Sequence, residues 1–336
     1  MHMPAEWEPH EATWLSWPKD PLTFPDGILP KVEETYVEMI LALTPKEKVH
    51  LLVDDEKTEK KVLDAVQAAG SAKNLLVHRI RTVDVWMRDY GPIFVRDGPK
   101  LKMTKWIFNA WGGKYEELMK DNSVADSIAP MLGMDVTRPG VILEGGSIDV
   151  NGRGTLLTTE QCLLNKNRNK GMGRGQIEEK LREHLGAKNI VWLREGIEGD
   201  DTDGHIDDIA RFVDERTVLC AFEQNPDDAN YPILKRNFED LQKAKDQDGE
   251  PLIVKPLPMP GPVRSEHGRL PASYANFYIG NAAVLLPVFR HENDEKAISL
   301  LEEHFPGRKV VPIWCGPLVH GLGAIHCVTQ QQPFLV

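Results

Sequence analysis

"GHIDDIARFVDERTVLCAF", residues 204–222, opens with a polar cluster, enters an apolar run, breaks at Asp214-Glu215 and returns through a second apolar run. That grammar is a β-hairpin, in which a short turn reverses an extended apolar stretch. It recurs in "WMRDYGPIFVRDGPKLKMTKWIF" from Trp86, "EGGSIDVNGRGTLLTT" from Glu144 and "SYANFYIGNAAVLLPVF" from Ser273. "GAIHCVTQQQ" from Gly323 supplies a fifth opening strand. Between the hairpins lie amphipathic helices, "VEETYVEMILALT", "EKTEKKVLDAVQAAG", "GQIEEKLREHLG", "YPILKRNFEDLQKA" and "DEKAISLLEEHF", and short strands such as "VHLLV", "NIVWL" and "KVVPI" follow them. The polar motifs return every 55 to 70 residues or so, roughly the pitch of one hairpin, helix and strand. The fold class is therefore α/β. Five such units either close radially, which removes free sheet edges and brings the polar motifs to a common centre, or lie side by side in an ordinary sheet. Periodicity leaves both open.

Composition narrows the function. The 336-residue chain has 41% hydrophobic residues and a formal net charge of -11, a balance that excludes the clustered basic residues of a nucleic-acid binder and draws a cationic small molecule. Cys162, Cys220, Cys315 and Cys327 form no CxxC pair, which argues against a zinc ribbon or a disulfide scaffold and for a reducing compartment. The start lacks a basic region followed by an apolar one, and no run approaches membrane-spanning length, so a cytoplasmic protein without membrane association is expected. "KAKDQDGEPL" and "PLPMPGPVRSEHGRLP" read as exposed loops.

His326 and Cys327 are adjacent. If "GAIHCVT" is a strand, their side chains point to opposite faces and cannot address one atom. The better base is His205 in "DDTDGHIDDIARF", which on a strand shares a face with Asp207 while Asp208 points away. Each candidate also has a plain structural reading. Cys327 can be a small buried hydrophobe, Asp89 a partner of Arg88 or a cap, Glu144 a surface charge at a strand end, and Trp86 and Trp111 core aromatics. His205, Asp207 and Cys327 could instead hold zinc, although no second His or Cys stands at ligand spacing. Taken together, acids, an imidazole, a thiol and indoles at the mouths of repeated strands suit a planar cation: carboxylates hold a guanidinium bidentately, an indole stacks on it, and a thiolate attacks its carbon.

The motifs "MPAEWEPHEATWLSWP", "WMRDYGPIFV", "FNAWGGKY", "LEGGSIDVNGRGTLLTTEQCLLNKNRN", "TDGHIDD", "RLPASYANFYIGNAAVLLP" and "GLGAIHCVTQQQP", in this order, make the chain resemble the agmatine deiminase and bacterial-type peptidylarginine deiminase family. The resemblance implies a pentein fold, a five-bladed α/β propeller with pseudo-five-fold symmetry in one catalytic domain over 1–336, hydrolysing a guanidino group to a ureido group and ammonia without metal or organic cofactor. It implies Cys327 as nucleophile, His205 as general acid and base, Asp89 and Asp207 as guanidinium clamps and Glu144 in the same pocket. Trp86 resembles a substrate-wall residue and Asn276 a polar pocket residue. Trp111 and Asp201 match positions that hold the alkyl chain and distal amine in agmatine-specific members. Agmatine is thus the expected substrate, with arginine or peptidyl-arginine as alternatives, and a homo-oligomer is compatible with the family. The tail departs from the frequent "GGGNIHC" in carrying Leu322 and Ala324, and "TDGHIDD" differs from "TNGHVD", changes that bear on pocket shape more than on chemistry. Outside the family, the alternatives are a metal-dependent hydrolase, a non-catalytic binding propeller and a cysteine amidase. The last is disfavoured because acids around the nucleophile repel a carbonyl oxygen becoming an anion.

Overall fold

In a computed structural model of the chain, which describes residues 1–25 and 27–335, the hairpin of residues 204–222 forms as expected. Strands Ala210–Phe212 and Thr217–Phe222 pair antiparallel, and Asp214 Oδ1 accepts the N–H groups of Arg216 (2.8 Å) and Thr217 (2.6 Å) to make the turn. Helix Asn230–Lys243 then crosses over, and Ile253–Pro258 joins the second strand in parallel. The same order of hairpin, helix and parallel strand builds three more sheets. One contains Ile93–Asp97, Lys100–Thr104 and Val136–Thr137, the next Asp149–Val150, Thr155–Thr159 and Asn189–Leu193, and the last Tyr278–Ile279, Ala283–Val288 and Lys309–Trp314. In the hairpin at "VNGRGT", Asn151 Oδ1 accepts three successive N–H groups, from Arg153, Gly154 and Thr155, so one side chain fixes the reversal.

A fifth sheet takes strands from both ends of the chain. His10–Ser16 pairs antiparallel with Gln330–Pro333 on one side and parallel with Lys48–Val53 on the other, and Leu75–Arg79 completes it. Helix Leu29–Leu43, with Pro30 in its first turn, buries Val32, Tyr36, Met39, Ile40 and Leu43 in the core beside this sheet, the spacing of one helical face. The architecture is mixed α/β, with five separate sheets of three or four strands and a two-stranded ribbon, Arg264–Ser265 with Gly268–Arg269, inside the segment expected to be an open loop.

Two expectations about strands fail. The fifth opening strand begins only at Gln330, so that His326 and Cys327 lie in turns, and "GHIDD" is one 3-10 turn, Ile206–Asp208, rather than a strand. Helical turns likewise precede the other hairpins, at Met87–Tyr90, Gly145–Ser147 and Tyr274–Asn276. Consecutive turns touch, from Met87–Tyr90 through Gly145–Ser147 and Ile206–Asp208 to Tyr274–Asn276. Asn276 O then accepts the N–H of His326 (3.1 Å), and Cys327 O accepts that of Arg88 (3.2 Å). The series of contacts thereby returns to its starting point.

Fully buried Arg211 ties three of these units to the amino-terminal segment. Its Nε donates to Asp149 Oδ1 (2.9 Å), Nη1 to Phe277 O (2.7 Å) and Nη2 to Glu6 Oε1 (2.9 Å). Removing one partner of a buried ion pair leaves the other charged and unsatisfied, which costs about 3–5 kcal/mol. Arg211→Met is therefore expected to lower the unfolding free energy by about that much, measured from urea denaturation midpoints. A loss below about 1 kcal/mol, the range of an exposed pair, would contradict this role.

Candidate active site

The polar turns deliver Asp89, Glu144, His205, Asp207, Asp208, Asn276 and Cys327 to one buried centre. A cavity of about 430 Å³ reaches it from the surface, lined among others by Trp86, Asp89, Trp111, Asp201 and Cys327. His205, Asp207, Glu144 and Asn276 sit behind that wall, essentially without exposure. The convergence is marked by Gly146: a Cβ built there would lie 2.6 Å from His205 Nδ1, 2.9 Å from Asp89 Oδ1 and 3.0 Å from Asp207 Oδ2. Glycine is needed for this close approach.

Asp89 is not the partner of Arg88. Its Oδ1 accepts the Gly146 N–H (3.0 Å) and its Oδ2 the Trp111 indole N–H (2.9 Å), whereas Arg88 points to Gln330, Gln331 and Glu6. Trp111 and Trp86 both belong to the core and also wall the cavity, meeting edge to face with ring centroids 6.3 Å apart. Trp86 is fixed by donating to Asp84 Oδ2 (2.9 Å). Asn276 Nδ2 lies 3.1 Å from Cys327 Sγ and 3.0 Å from Asp208 Oδ1, while its Oδ1 accepts the N–H groups of His326 (2.9 Å) and Cys327 (3.3 Å). That amide holds the nucleophile candidate's backbone in a turn and its sulfur in place.

Two readings based on strand alternation are corrected by these turns. Asp208 does not face away: it lies beside Cys327, with Asp207, Asp208 and Cys327 ligand atoms all within 4.8 Å of one another. His326 is no bystander either. Its Nδ1 is 2.7 Å from Asp207 Oδ2, the same oxygen that lies 3.8 Å from Cys327 Sγ. Nor is Glu144 a surface charge. It is fully buried with Arg168 Nε 2.7 Å from Oε1, an ion pair whose N–H is not directed along that line. Asp201 reaches the cavity as expected, but it also accepts from the Tyr115 hydroxyl (2.6 Å) and from Lys114 (3.3 Å to Oδ1).

Electrostatics follow from this crowding. Burial pushes the Asp89 carboxyl well above its usual range, and Asp207 and Glu144 push it further. Asp208 is raised by burial and then by Asp207 and Asp200. For Asp207, burial also pushes upward, but the hydrogen bond and charge of His326, together with His205 and Arg211, hold the carboxyl below the usual range. Burial drives His205 down to about 3, and both its ring nitrogens lack a protein hydrogen-bond partner. Cys327 is raised well above a normal thiol by burial, then by Asp207, Asp208 and Asp89. In the absence of a cation the site thus holds a neutral imidazole and a protonated thiol. A guanidinium placed among the acids would reverse the pressure on the sulfur.

The zinc reading of His205, Asp207 and Cys327 does not assemble. Among the described residues His205 clusters with Glu144 and Cys162, whereas Asp207 and Cys327 cluster with Asp208. The first cluster also has the Arg168 guanidinium against its carboxylate, which opposes a metal ion. Sequence reasoning missed Glu6, Arg168, Asp208 and His326. Glu6, Arg168 and His326 stood inside motifs already quoted, in "MPAEWEPH", "NKNRN" and "GAIHC", but nothing local signals partners so remote in sequence.

Residues 2–333 match the family described as Porphyromonas-type peptidyl-arginine deiminase. Agmatine deiminase of Ectopseudomonas mendocina is 38% identical over 356 aligned residues, covering 99% of this chain and 95% of that protein. Agmatine deiminase of Enterococcus faecalis superposes with a TM-score of 0.92 at 32% identity, covering 100% of this chain and 96% of the other. A cysteine-to-serine variant of the Campylobacter jejuni agmatine deiminase, solved with substrate bound, gives a TM-score of 0.89 at 32% identity, with 99% and 96% covered.

Two substitutions test the geometry. Gly146→Ala should displace His205, Asp89 or Asp207 by a few tenths of an ångström or more and cut kcat/KM on the order of 100-fold, measured by steady-state ammonia release. An unchanged rate would mean that the close approach has no catalytic meaning. Asp208→Asn keeps an acceptor for Asn276 and removes a penalised charge. A carboxyl raised in the folded state contributes stability below its unfolded value of about 3.9 and loses it as pH rises. The variant should therefore exceed the parent in denaturation midpoint at pH 8 and lose that advantage near pH 4.

Proposed function

The chain belongs to the Porphyromonas-type peptidyl-arginine deiminase family, and on that premise we propose that it hydrolyses agmatine to N-carbamoylputrescine and ammonia, with Cys327 as nucleophile. The observation that carries this reading is a cysteine sulfur 3.8 Å from a buried carboxylate, at the end of a cavity lined by Asp20, Asp84, Asp89, Glu116, Glu117 and Asp201 and, among the described residues, by no Lys or Arg. An arginine site has to answer a carboxylate with a cation. Here the tail of the substrate meets acids, which favours an amine. Lys114 lies near but is engaged by Asp201 and by Asp203 (3.0 Å).

The five sheets are read as blades of a pentein propeller with pseudo-five-fold symmetry, forming one catalytic domain. The ring of touching turns supports that reading, since each blade then offers its polar turn to the axis. Asp89 and Asp207 grip the guanidinium, and Trp86 and Trp111 wall its alkyl chain. The arriving cation offsets the acids that hold the Cys327 thiol protonated, so its proton passes to His205 and the thiolate adds to the guanidinium carbon. His205 returns that proton to the departing nitrogen, ammonia leaves, and an S-linked thiouronium remains. Water, deprotonated by the now neutral His205, adds to the same carbon, and collapse expels the Cys327 thiolate and yields the ureido product. Glu144 borders the imidazole and would stabilise it when it takes up the proton, with Arg168 keeping that carboxylate in place. Four free cysteines fit a reducing, cytoplasmic setting, and the product fits a polyamine-forming route.

The deciding experiment is a colorimetric ureido assay with agmatine, free arginine and a blocked arginyl peptide, run with and without chelator. Agmatine should be turned over with kcat/KM at least 100-fold above the other two, unaffected by chelator, and Cys327→Ser should abolish turnover. Loss of activity with chelator would point to a metal hydrolase. A preference for arginine or peptide would overturn the substrate, and near-normal activity of the Cys327 variant would overturn the chemistry.

A further inference from the structure

His326 lies between two carboxylates. Nδ1 is 2.7 Å from Asp207 Oδ2, Nε2 is 2.9 Å from Glu6 Oε2, and the residue is 1% exposed. An ionised carboxylate only accepts hydrogen bonds, and a neutral imidazole offers a single N–H. Both contacts are satisfied only if the ring carries two protons or one of the acids carries one.

The surroundings decide between these. Glu6 Oε1 accepts from Ile279 N (2.8 Å) and Arg211 Nη2 (2.9 Å), and Oε2 from Arg88 Nη2 (3.4 Å). A carboxyl surrounded by donors gains nothing from a proton. Asp149 accepts from Arg211 Nε (2.9 Å) and Phe212 N (2.7 Å). The groups facing the ring and its two partners are therefore the acids Glu6, Asp149 and Asp207, with Asp208, Asp89, Asp200, Cys327 and the neutral imidazole of His205 beyond Asp207, and the bases Arg88 and Arg211. In the inner set three anions meet two guanidinium groups, and an uncompensated buried charge is costly. One more cation closes the balance, and among the described residues His326, in contact with two of the three acids, is placed to supply it.

We propose that His326 is a positioning residue that Glu6 holds as an imidazolium, and that its charge keeps Asp207 ionised and fixes Oδ2 beside the sulfur of Cys327. The need arises from the site itself. Asp207 stands among Asp89, Asp200 and Asp208, whose repulsion favours proton uptake, yet a protonated Asp207 could not hold a guanidinium. Glu6 makes the amino-terminal segment part of this device: the carboxylate that charges the histidine lies 320 residues away from it. The proposal rests on the reading of Asp207 as a guanidinium ligand.

The test has a spectroscopic and a kinetic arm. In protein labelled with ¹⁵N-histidine, the ring assigned to His326 by its loss in His326→Gln should show two protonated nitrogens from pH 6 to pH 8, and Glu6→Gln should convert it to a neutral tautomer at pH 8. A neutral ring in the parent protein at pH 8 would overturn the proposal, whatever substrate the enzyme takes. With agmatine, His326→Gln should raise KM at least tenfold and move the acidic limb of kcat/KM toward neutrality, because Asp207 then takes up a proton more readily. A drop in kcat with KM and the limb unmoved would mean a merely structural role. If His326→Gln does not fold, Glu6→Gln supplies the kinetic comparison, and its spectrum identifies the shifted ring. Inactivity of the parent on agmatine and on the other guanidines would defeat the functional reading and leave the protonation result standing.

Discussion

Asp89, Asp207 and Asp208 are buried around the sulfur of Cys327, with Glu144 buried beside His205, and much of the centre of the molecule answers the mutual repulsion of these carboxylates. Two like charges 4 Å apart at an effective dielectric of 20 repel by about 4 kcal/mol, so the cluster cannot stand without compensation. Compensation comes in three forms. Peptide and indole N–H groups serve Asp89, Arg168 faces Glu144, and His326 serves Asp207. Among the described residues Asp208 has only the amide of Asn276, and burial and its neighbours push its carboxyl well above the usual range. A cation placed among these acids would offset charge that the protein's own donors leave unanswered.

Backbone strain gathers in the same place. Of the non-glycine residues with left-handed backbone, Trp111 (φ 53°) and Leu322 (φ 71°) line the cavity, and Asp203 (φ 66°) stands two residues before His205. Such conformations cost on the order of 1–3 kcal/mol each and persist where surrounding contacts over-determine them. Trp111 is held by its bond to Asp89, and Asp203 by Asn167, Arg168 and Lys114. Leu322 holds a φ that glycine adopts freely. Its side chain packs toward Leu270, Ala272 and Val319, so the apolar cluster beside the cavity supports the strained turn.

The hairpins and helices were legible because they depend on spacing. Apolar residues recur at strand or helix period, and the turn residues Asn151 and Asp214 act on N–H groups a few positions away. The polar motifs were not legible in the same way. Extending strand alternation into "GHIDD" and "GAIHC" placed Asp208 and His326 on the wrong side, because the conformation there is set by side chains bonding the backbone. Asp200 Oδ2 accepts the N–H groups of Gly204 (2.8 Å) and His205 (3.1 Å) and curls the first motif. Asn276 does the same for the second from fifty residues away. Periodicity carries no record of such a contact. Cys327, His205, Asp89 and Asp207 are candidates on chemistry and motif and the fold brings them together, whereas Glu6 and Arg168 act through ion pairs that only the folded chain defines.

Those ion pairs also join the two ends of the cavity. At its outer part Asp201 meets Lys114, Lys114 meets Asp203 (3.0 Å), Asp203 meets Arg168 (2.8 Å), and Arg168 meets Glu144 (2.7 Å) beside His205. Charges alternate along this series, so each group is held by neighbours of opposite sign and a change at one end alters the balance at the next. An amine approaching Asp201 competes with Lys114 for the same carboxylate. The acid at the outer part of the cavity and the carboxylate beside His205 therefore belong to one ladder of alternating charges, so the electrostatic balance of either depends on the other.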